Sequence, residues 1–434
     1  MDAEFYQPEY FIDFSVGNWE RIGDILEQCQ YGISLAMNEE GIGYPIFKMN
    51  DINHGFLLDD EIKYVPLQEQ IFQGFKLKRN DVLFNRVNSE EFVGRTGIYK
   101  LAMDSVFASY LIRIRPNKNI VTPDYLNIFL NSSFGIRQIR KFARRAVNQA
   151  NVNAEELKEI RILIAPKSFQ NEISILSDDA WASFEESKRL YAQAEDLLLE
   201  ELGLKDVKFG EDLAYSVKFS DIKTAGRMDA DYFQPKYEKL LEFLKKYGAK
   251  ELSETVENVS AKFDSAKKPQ DIFKYVELSN INASLGIIDG YSEVSGKEAP
   301  SRAKRVLKAG DVIVSSIEGS LEKSALVDRE REGFLASTGF FQFRSKEILS
   351  EVLLVMAKSI VFQWQLRQKT AGTILTAVPK ESINGVLIPT IPKLIQQKIA
   401  DLVRQSHEAR KKSKELLESA KRKVEELIER GGTA

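Results

Sequence analysis

An internal repeat constrains the fold of this chain more than any other feature of its sequence. The chain begins MDAEFYQPEY, and residues 228–237 read MDADYFQPKY, with Pro8 matched to Pro235 and Tyr10 matched to Tyr237. The register continues at an offset of 226 to 230 residues through segments 47–53 with 276–282, 77–83 with 307–313, 107–109 with 335–337 and 165–173 with 391–399. A repeat of this length predicts two copies of one folding unit.

The order of predicted elements is the same in both copies. Runs of β-branched and aromatic residues come first and predict strands, as in residues 82–84 and 312–314. A helix, a strand bounded by proline and one long helix then follow in each copy. We therefore predict an α+β fold, in which two repeated mixed α/β domains are separated by two long helices packed as an antiparallel coiled coil with pseudo-two-fold symmetry.

The long helices are predicted at residues 169–202 and 395–428, from apolar and small side chains that recur at alternating spacings of three and four. The first stripe consists of Ile173, Leu176, Ala180, Ser183, Ser187, Leu190, Ala194 and Leu197. The second consists of Ile399, Leu402, Ser406, Ala409, Ser413, Leu416, Ala420 and Val424. Small residues allow close approach, so we expect the two helices to pack together. Symmetry would also bring the end of the second helix near the start of the first copy.

Composition narrows the function classes. The chain has a net charge of −3, one cysteine, Cys29, and two histidines, His54 and His407, which excludes an intrachain disulfide and a cysteine-rich zinc site. No apolar run approaches the roughly 20 residues of a membrane span, and the acidic start lacks the apolar core of a signal peptide. We therefore expect a soluble cytoplasmic protein. The net charge by itself does not suggest DNA binding.

The repeated order of motifs resembles the specificity subunits of type I restriction–modification enzymes. A strand of the DVLFNR type, at residues 81–86, is matched in the second copy. A Pro-Lys-x-x-Gln-x-x-Ile motif then begins each long helix, at residues 166–173 and 392–399. The resemblance covers nearly the whole chain and depends on the occurrence of these motifs in the same order in both copies.

The resemblance implies five parts with separate roles. Residues 1–166 and 228–392 would be target-recognition domains, each of which reads one half of a bipartite site in double-stranded DNA. Residues 167–203 and 393–430 would be spacer helices that dock two methyltransferase subunits, and residues 204–227 would be a linker. Restriction or translocase subunits would join that core for phage defence. S-adenosylmethionine, ATP and magnesium would belong to the partners, so the chain would need no cofactor of its own.

The chain itself lacks the sequence motifs of the catalytic subunits. It has no Pro-Pro pair for the Asx-Pro-Pro-aromatic loop of a DNA amino-methyltransferase, and no G-x-x-x-x-G-K-[ST] phosphate loop. The carboxylates of Asp51, Asp81 and Glu91 are scattered along the chain rather than clustered. We therefore predict a non-catalytic subunit with no catalytic residue and no metal ligand.

In the first copy, five basic residues without an acid among them predict contacts to DNA phosphates from one helix stripe. They are Arg137, Arg140, Lys141, Arg144 and Arg145. Amides that can pair with adenine edges follow, and the loop after the shared strand adds two arginines and an amide. These residues are Asn148, Gln149 and Asn151, then Arg86, Asn88 and Arg95. A solvated charged face is the alternative for the stripe.

The second copy offers different residues at the equivalent positions. They are Ser315, Ser316 and Lys323 after the shared strand, and Arg367, Lys369, Thr370 and Thr373 at the end of the helix. Different loops on matched flanks are expected where two domains read different bases, although ordinary loop drift is the alternative. Two other functions stay open: DNA recognition for another multisubunit methylation or phage-defence system, and a coiled-coil scaffold without DNA.

Overall fold

The computed structural model describes residues 10–146, 149–207, 209–210, 214–372 and 376–432. The chain divides into two compact units, one made of Met1–Glu185 and Arg410–Ala434, the other of Glu186–Ala409. Both divisions fall inside a long helix, so each unit contains part of both long helices. None of the helices within the described ranges is long and apolar enough to cross a membrane.

The first unit is built around a mixed sheet. Its described strands are β1 Trp19–Arg21, β2 Leu26–Tyr31, β3 Tyr44–Phe47, β4 Ile52–Asn53, β5 Phe56–Leu57, β6 Lys63–Val65, β7 Val82–Asn85, β8 Val87–Asn88, β9 Thr96–Ile98, β10 Val106–Phe107, β11 Leu111–Pro116, β12 Arg144–Ala146, β13 Gln149–Asn151 and β14 Arg161–Leu163. Its described helices are α1 Ile22–Ile25, α2 Glu69–Phe75, α3 Pro123–Leu130, α4 Ser133–Phe142, α5 Ala154–Glu159 and the first part of α6 Lys167–Glu201. The main sheet has the order β2-β11-β7-β9-β5-β4, and a smaller sheet has the order β10-β3-β6.

The second unit has a matching architecture. Its described strands are β15 Lys250–Glu251, β16 Val256–Asn258, β17 Ile272–Val276, β18 Ile281–Asn282, β19 Ile287–Ile288, β20 Ser292–Ser295, β21 Ala303–Val306, β22 Val312–Ser315, β23 Ser324–Leu326, β24 Leu335–Ser337, β25 Phe340–Ser345 and β26 Leu387–Ile388. Its described helices are α7 Phe219–Ala225, α8 Pro235–Lys246, α9 Leu252–Thr255, α10 Ser350–Lys358, α11 Ile360–Lys369 and the first part of α12 Lys393–Glu429, beside the second part of α6. The main sheet has the order β16-β25-β22-β23-β19-β18.

The two main sheets share one topology, because every strand of the first has a counterpart at the same place in the second. The central strands β7 and β22 are buried at every position, and the first three residues of each are apolar. The repeat predicted from the sequence is confirmed at the level of the fold, and so is the α+β class.

The long helices pack antiparallel inside each unit and complete its core. In the first unit the Lys423 ammonium pairs with Glu172 at 2.8 Å, and the Arg410 guanidinium lies 4.9 Å from the ring centre of Phe184. In the second unit the Ser406 hydroxyl donates to the carbonyl oxygen of Ser187 at 2.7 Å. The predicted pairing of the two helices is confirmed, and the small serine of the seam lies at a close approach of the backbones.

The end of α12 lies against the beginning of the first copy, as expected. Gly17 has a φ of +93°, and a Cβ at this position would lie 3.1 Å from the carbonyl oxygen of Gly431 and 2.7 Å from the Leu163 side chain. Only glycine meets both the backbone and the space requirements here.

Candidate nucleic-acid interface

In the first unit, two predicted loops are joined in one small antiparallel sheet. β13 pairs with β12 in the register Arg144–Asn151, and with β8 in the register Ala150–Asn88. Ala150 is buried in the core of the unit, which anchors the sheet, while Arg144 and Gln149 are exposed. The loop after β7 and the amide-rich loop after α4 therefore form a single surface. We call the sheet of β8, β12 and β13 the polar sheet.

The predicted helix stripe is wrong in its last two members. α4 ends at Phe142, and Ala143 is extended, with φ −65° and ψ 120°. Arg144 and Arg145 therefore lie in β12, because pairing with β13 draws the chain into a strand. Such tertiary pairing routinely overrides helical propensity. The members that remain on α4 are Arg137, Arg140 and Lys141.

The basic side chains of this region differ in how they are held. Arg137 lies over the Phe134 ring at 4.5 Å and donates to the carbonyl oxygen of Ser133 at 3.3 Å. Arg144 pairs with Glu156, whose carboxylate also caps α5. Arg140 is exposed. Arg137 is thus held by a ring and Arg144 by an ion pair, and both Arg140 and Arg144 are exposed.

Arg86 lies at the junction of the main sheet and the polar sheet. Its guanidinium is 5.1 Å from the ring centre of Tyr31, and it donates to the carbonyl oxygen of Ser109 at 3.3 Å. Its backbone N–H donates to the carbonyl oxygen of Tyr110 at 3.0 Å. The side chains of Tyr31 and Tyr110 are 42% and 45% exposed. Neither tyrosine is among the residues predicted from the sequence, because only the pairing of the strands brings both of them beside Arg86.

The loop that carries Arg95 packs on α4. Its guanidinium lies over the Phe92 ring at 3.8 Å. The neighbouring Gly94 has a φ of +84°, and a Cβ there would lie 2.3 Å from the Ile139 side chain. The loop therefore lies close against the helix that carries Arg137, Arg140 and Lys141, and only glycine allows this close approach.

The second unit repeats the polar sheet in reduced form. Ala377 forms isolated antiparallel bridges with Ala371 and with Ile317. These bridges stand at the repeat offsets of Arg145–Ala150 and Ala150–Asn88. Arg367 is exposed and Lys369 is half-buried at the end of α11, and Lys323 is half-buried before β23. Burial lowers the pKa of Lys369.

Three hydroxyls predicted in the second unit are buried and bonded internally. The Ser315 hydroxyl lies 3.2 Å from that of Ser320, and the Ser316 hydroxyl donates to the carbonyl oxygen of Gly339 at 2.8 Å. The Thr370 hydroxyl donates to the carbonyl oxygen of Arg367 at 2.8 Å. The sequence does not show this for Ser316, because its partner Gly339 lies in a different loop. These three side chains are therefore not presented at the surface.

Two predicted residues, Asn148 and Thr373, lie outside the described residues, as does the side chain of Arg145. Across the part of the chain that the structure describes, no group of three or more histidine, cysteine, aspartate or glutamate side chains could hold a metal ion.

A family model and two curated relatives are similar to parts of this chain, and the family model covers the segment that contains the polar sheet. The family model described as type I restriction modification DNA specificity domain matches residues 17–189. The type I restriction enzyme MjaX specificity subunit of Methanocaldococcus jannaschii is 34% identical over 185 residues, which cover 40% of this chain and 43% of that protein. The type I restriction enzyme EcoKI specificity subunit of Escherichia coli is 28% identical over 171 residues, which cover 39% of this chain and 36% of that protein.

A solved structure is similar along its whole length but only distantly. The type I restriction-modification S subunit from M. genitalium is 12% identical, covers 99% of both chains and has a TM-score of 0.46. The matched segments span less than half the length of each curated relative. The resemblance predicted from the repeated motifs is nevertheless confirmed, since residues 17–189 of this chain match the family model of the type I restriction modification DNA specificity domain.

Proposed function

We propose that this chain is the DNA-binding specificity subunit of a type I restriction–modification complex and reads a bipartite target in double-stranded DNA. One observation carries the proposal: two matched main sheets hold equivalent small sheets with different side chains. The first presents arginine and amides, whereas the second has Ala371 and Gly372 beside Arg367 and Lys369. A constant scaffold with different polar surfaces suits two domains that read different bases.

The exposed side chains suggest a division of labour on DNA. Arg140 and Arg144 would contact phosphates, which position a protein on the duplex without reading its sequence. Gln149 is an exposed amide on β13 and could pair with the edge of an adenine. With a net charge of −3, the chain would share the task of holding DNA with other subunits.

The chemistry would belong to partner subunits. The chain has neither the methyltransferase loop nor the phosphate loop, so it would act without a catalytic residue, a metal or a cofactor of its own. Two methyltransferase subunits would bind it, and restriction or translocase subunits would complete the assembly. Residues 1–166 and 228–392 would be the recognition modules.

Co-expression with its methyltransferase subunit, followed by genome-wide mapping of methylated bases, tests the proposal. The expected result is one bipartite motif that disappears when this chain is omitted, and no methyl transfer by the purified chain alone. A complex that assembles but neither methylates nor binds DNA in a salt-dependent manner would support the scaffold function instead.

A further inference from the structure

We propose that Arg227 is a positioning residue that sets the recognition loop at the end of α11, an inference that rests on the proposed function. Its guanidinium donates to the carbonyl oxygen of Thr370 at 2.7 Å and lies 3.5 Å from that of Gln368. Thr370 is the C-cap of α11. The last carbonyl groups of a helix have no partner within the helix, and they carry the negative end of its dipole, so a cation suits this place.

Arg227 is itself fixed by two further contacts. Its guanidinium forms a forked pair with Asp229, with nitrogen–oxygen distances of 2.8 and 2.6 Å. It also lies 4.6 Å from the ring centre of Tyr232, whose carbonyl oxygen accepts a hydrogen bond from the Gln368 amide at 3.2 Å. A planar guanidinium can satisfy these partners at once, which a lysine ammonium cannot.

The contact acts on the loop because Thr370 immediately precedes Ala371. Ala371 bridges to Ala377, and Ala377 bridges to Ile317, so the reduced polar sheet of the second unit begins where Arg227 holds the chain. The first unit orients the equivalent segment by another contact, between Arg144 of β12 and Glu156 of α5. The buried Thr370 hydroxyl cannot read DNA, but the position of its backbone determines where Ala371 and Gly372 lie.

One consequence concerns the limits of the second recognition module. The repeat places its start at Met228, so a module of residues 228–392 leaves out the arginine that holds its loop. We therefore expect the specificity of the second unit to depend on a residue that the repeat assigns to the linker.

Competition binding by the assembled methyltransferase complex tests the role of Arg227. The probes are duplexes of the mapped target with single base-pair changes in one half-site or the other. The variants are Arg227→Ala, Arg227→Lys and, as a matched control, Arg331→Ala. Arg331 is an ion-paired arginine of the same unit, with its side chain 21% exposed against 28% for Arg227. Thermal unfolding of each variant reports its stability.

Arg227→Ala is expected to reduce discrimination roughly tenfold, the order that one base contact supplies, only in the half-site that exchange of residues 228–392 alters. Arg227→Lys should restore part of it, and Arg331→Ala should match the wild type. Unchanged discrimination in Arg227→Ala, or an equal loss for all duplexes with a lower unfolding temperature, would overturn the positioning role. A wild-type complex that discriminates at neither half-site would overturn the proposed function itself.

Discussion

The side-chain oxygen of Gln170 accepts the backbone N–H of Thr122 at 2.8 Å, which ties the first turn of α6 to the N-cap of α3. In the second copy, Gln396 accepts the backbone N–H of Leu349, the N-cap residue of α10, at 3.1 Å. The glutamine of the Pro-Lys-x-x-Gln motif therefore joins each long helix to the helix on the main sheet. These hydrogen bonds explain why a glutamine stands at this position of the motif in both copies.

Replacing Gln170 should cost more stability than replacing Gln396. The Gln170 amide also donates to the carbonyl oxygens of Ile120 and Ala165 at 2.9 and 2.8 Å, whereas the amide of Gln396 donates to Ile391 at 2.9 Å. Since each buried polar group left unpaired costs about 1–3 kcal/mol, Gln170→Ala should lower the free energy of unfolding by roughly 2–4 kcal/mol. Denaturant titration measures both variants. An effect of Gln170→Ala no larger than that of the exposed control Gln397→Ala would contradict this account.

Asp51 should make stability depend on pH. Asp51 accepts the backbone N–H of Lys48 at 2.6 Å, and Asn280 accepts that of Glu277 at 2.9 Å in the equivalent turn. Burial raises the pKa of Asp51 to about 6, from an ordinary value of 3.8. A carboxyl whose pKa is higher in the folded state adds stability below the unfolded pKa and loses it as the pH rises through the folded pKa.

Asp51→Asn, which installs the residue of the second copy, should remove this dependence. Relative to the wild type, the variant should gain on the order of 2 kcal/mol in free energy of unfolding between pH 4 and pH 7, since one pKa unit is worth about 1.4 kcal/mol. Urea titrations of both proteins at several pH values measure the difference. A difference that stays constant over that range would show that the pKa of Asp51 is not raised.

Removal of two exposed arginines should weaken DNA binding without changing its sequence preference. Arg140→Ala with Arg144→Ala deletes two proposed phosphate contacts, so the slope of log affinity against log salt should fall by about two. The measurement is binding of the assembled complex to its target and to an unrelated duplex. Arg189→Ala is the control, because Arg189 is an ion-paired arginine on the exposed side of α6. An unchanged slope would place the two arginines away from DNA.

Matched insertions in the long helices should lengthen the spacer between half-sites. Four residues added after Glu185 and after Ala409, where both helices pass from one unit to the other, extend each helix by about 6 Å at a rise of about 1.5 Å per residue. This is roughly one to two base pairs at a DNA rise of about 3.4 Å. Mapping of methylated bases should show unchanged half-site sequences with a longer spacer. An active variant with the original spacer would show that the helices do not set this distance.

Local periodicity located the long helices almost to the residue. The sequence predicts helices over residues 169–202 and 395–428, and the helices are Lys167–Glu201 and Lys393–Glu429. The bounds agree because side chains that recur at spacings of three and four can be recognised within a short stretch of sequence. The register of the repeat likewise predicts two copies of one folding unit, and the two main sheets have the same strand order. The helices can be recognised from residues close together in the chain, and the repeat from the match between its two copies.

The candidate interface was harder to predict because its pairings are not local. Arg144 has helical spacing from Arg140, yet β13 and the distant β8 draw this segment into a sheet around the buried Ala150. Ser316 is polar and lies in a loop, yet its hydroxyl is bonded to Gly339. Nothing in the sequence around Arg227 indicates that it contacts Thr370. Such relationships follow only from the tertiary structure.

The first unit includes residues 410–434 as well as 1–185, which has a consequence for biosynthesis. Its core contains Leu417, Ala420 and Val424 of α12. The ribosome must therefore translate all of residues 186–409 before these side chains emerge, which takes on the order of 10–45 s at about 5–20 residues per second. Until then, the apolar side chains of residues 1–185 that pack on this part of α12 lack their partners, so the first unit completes its core only after the second unit has been translated.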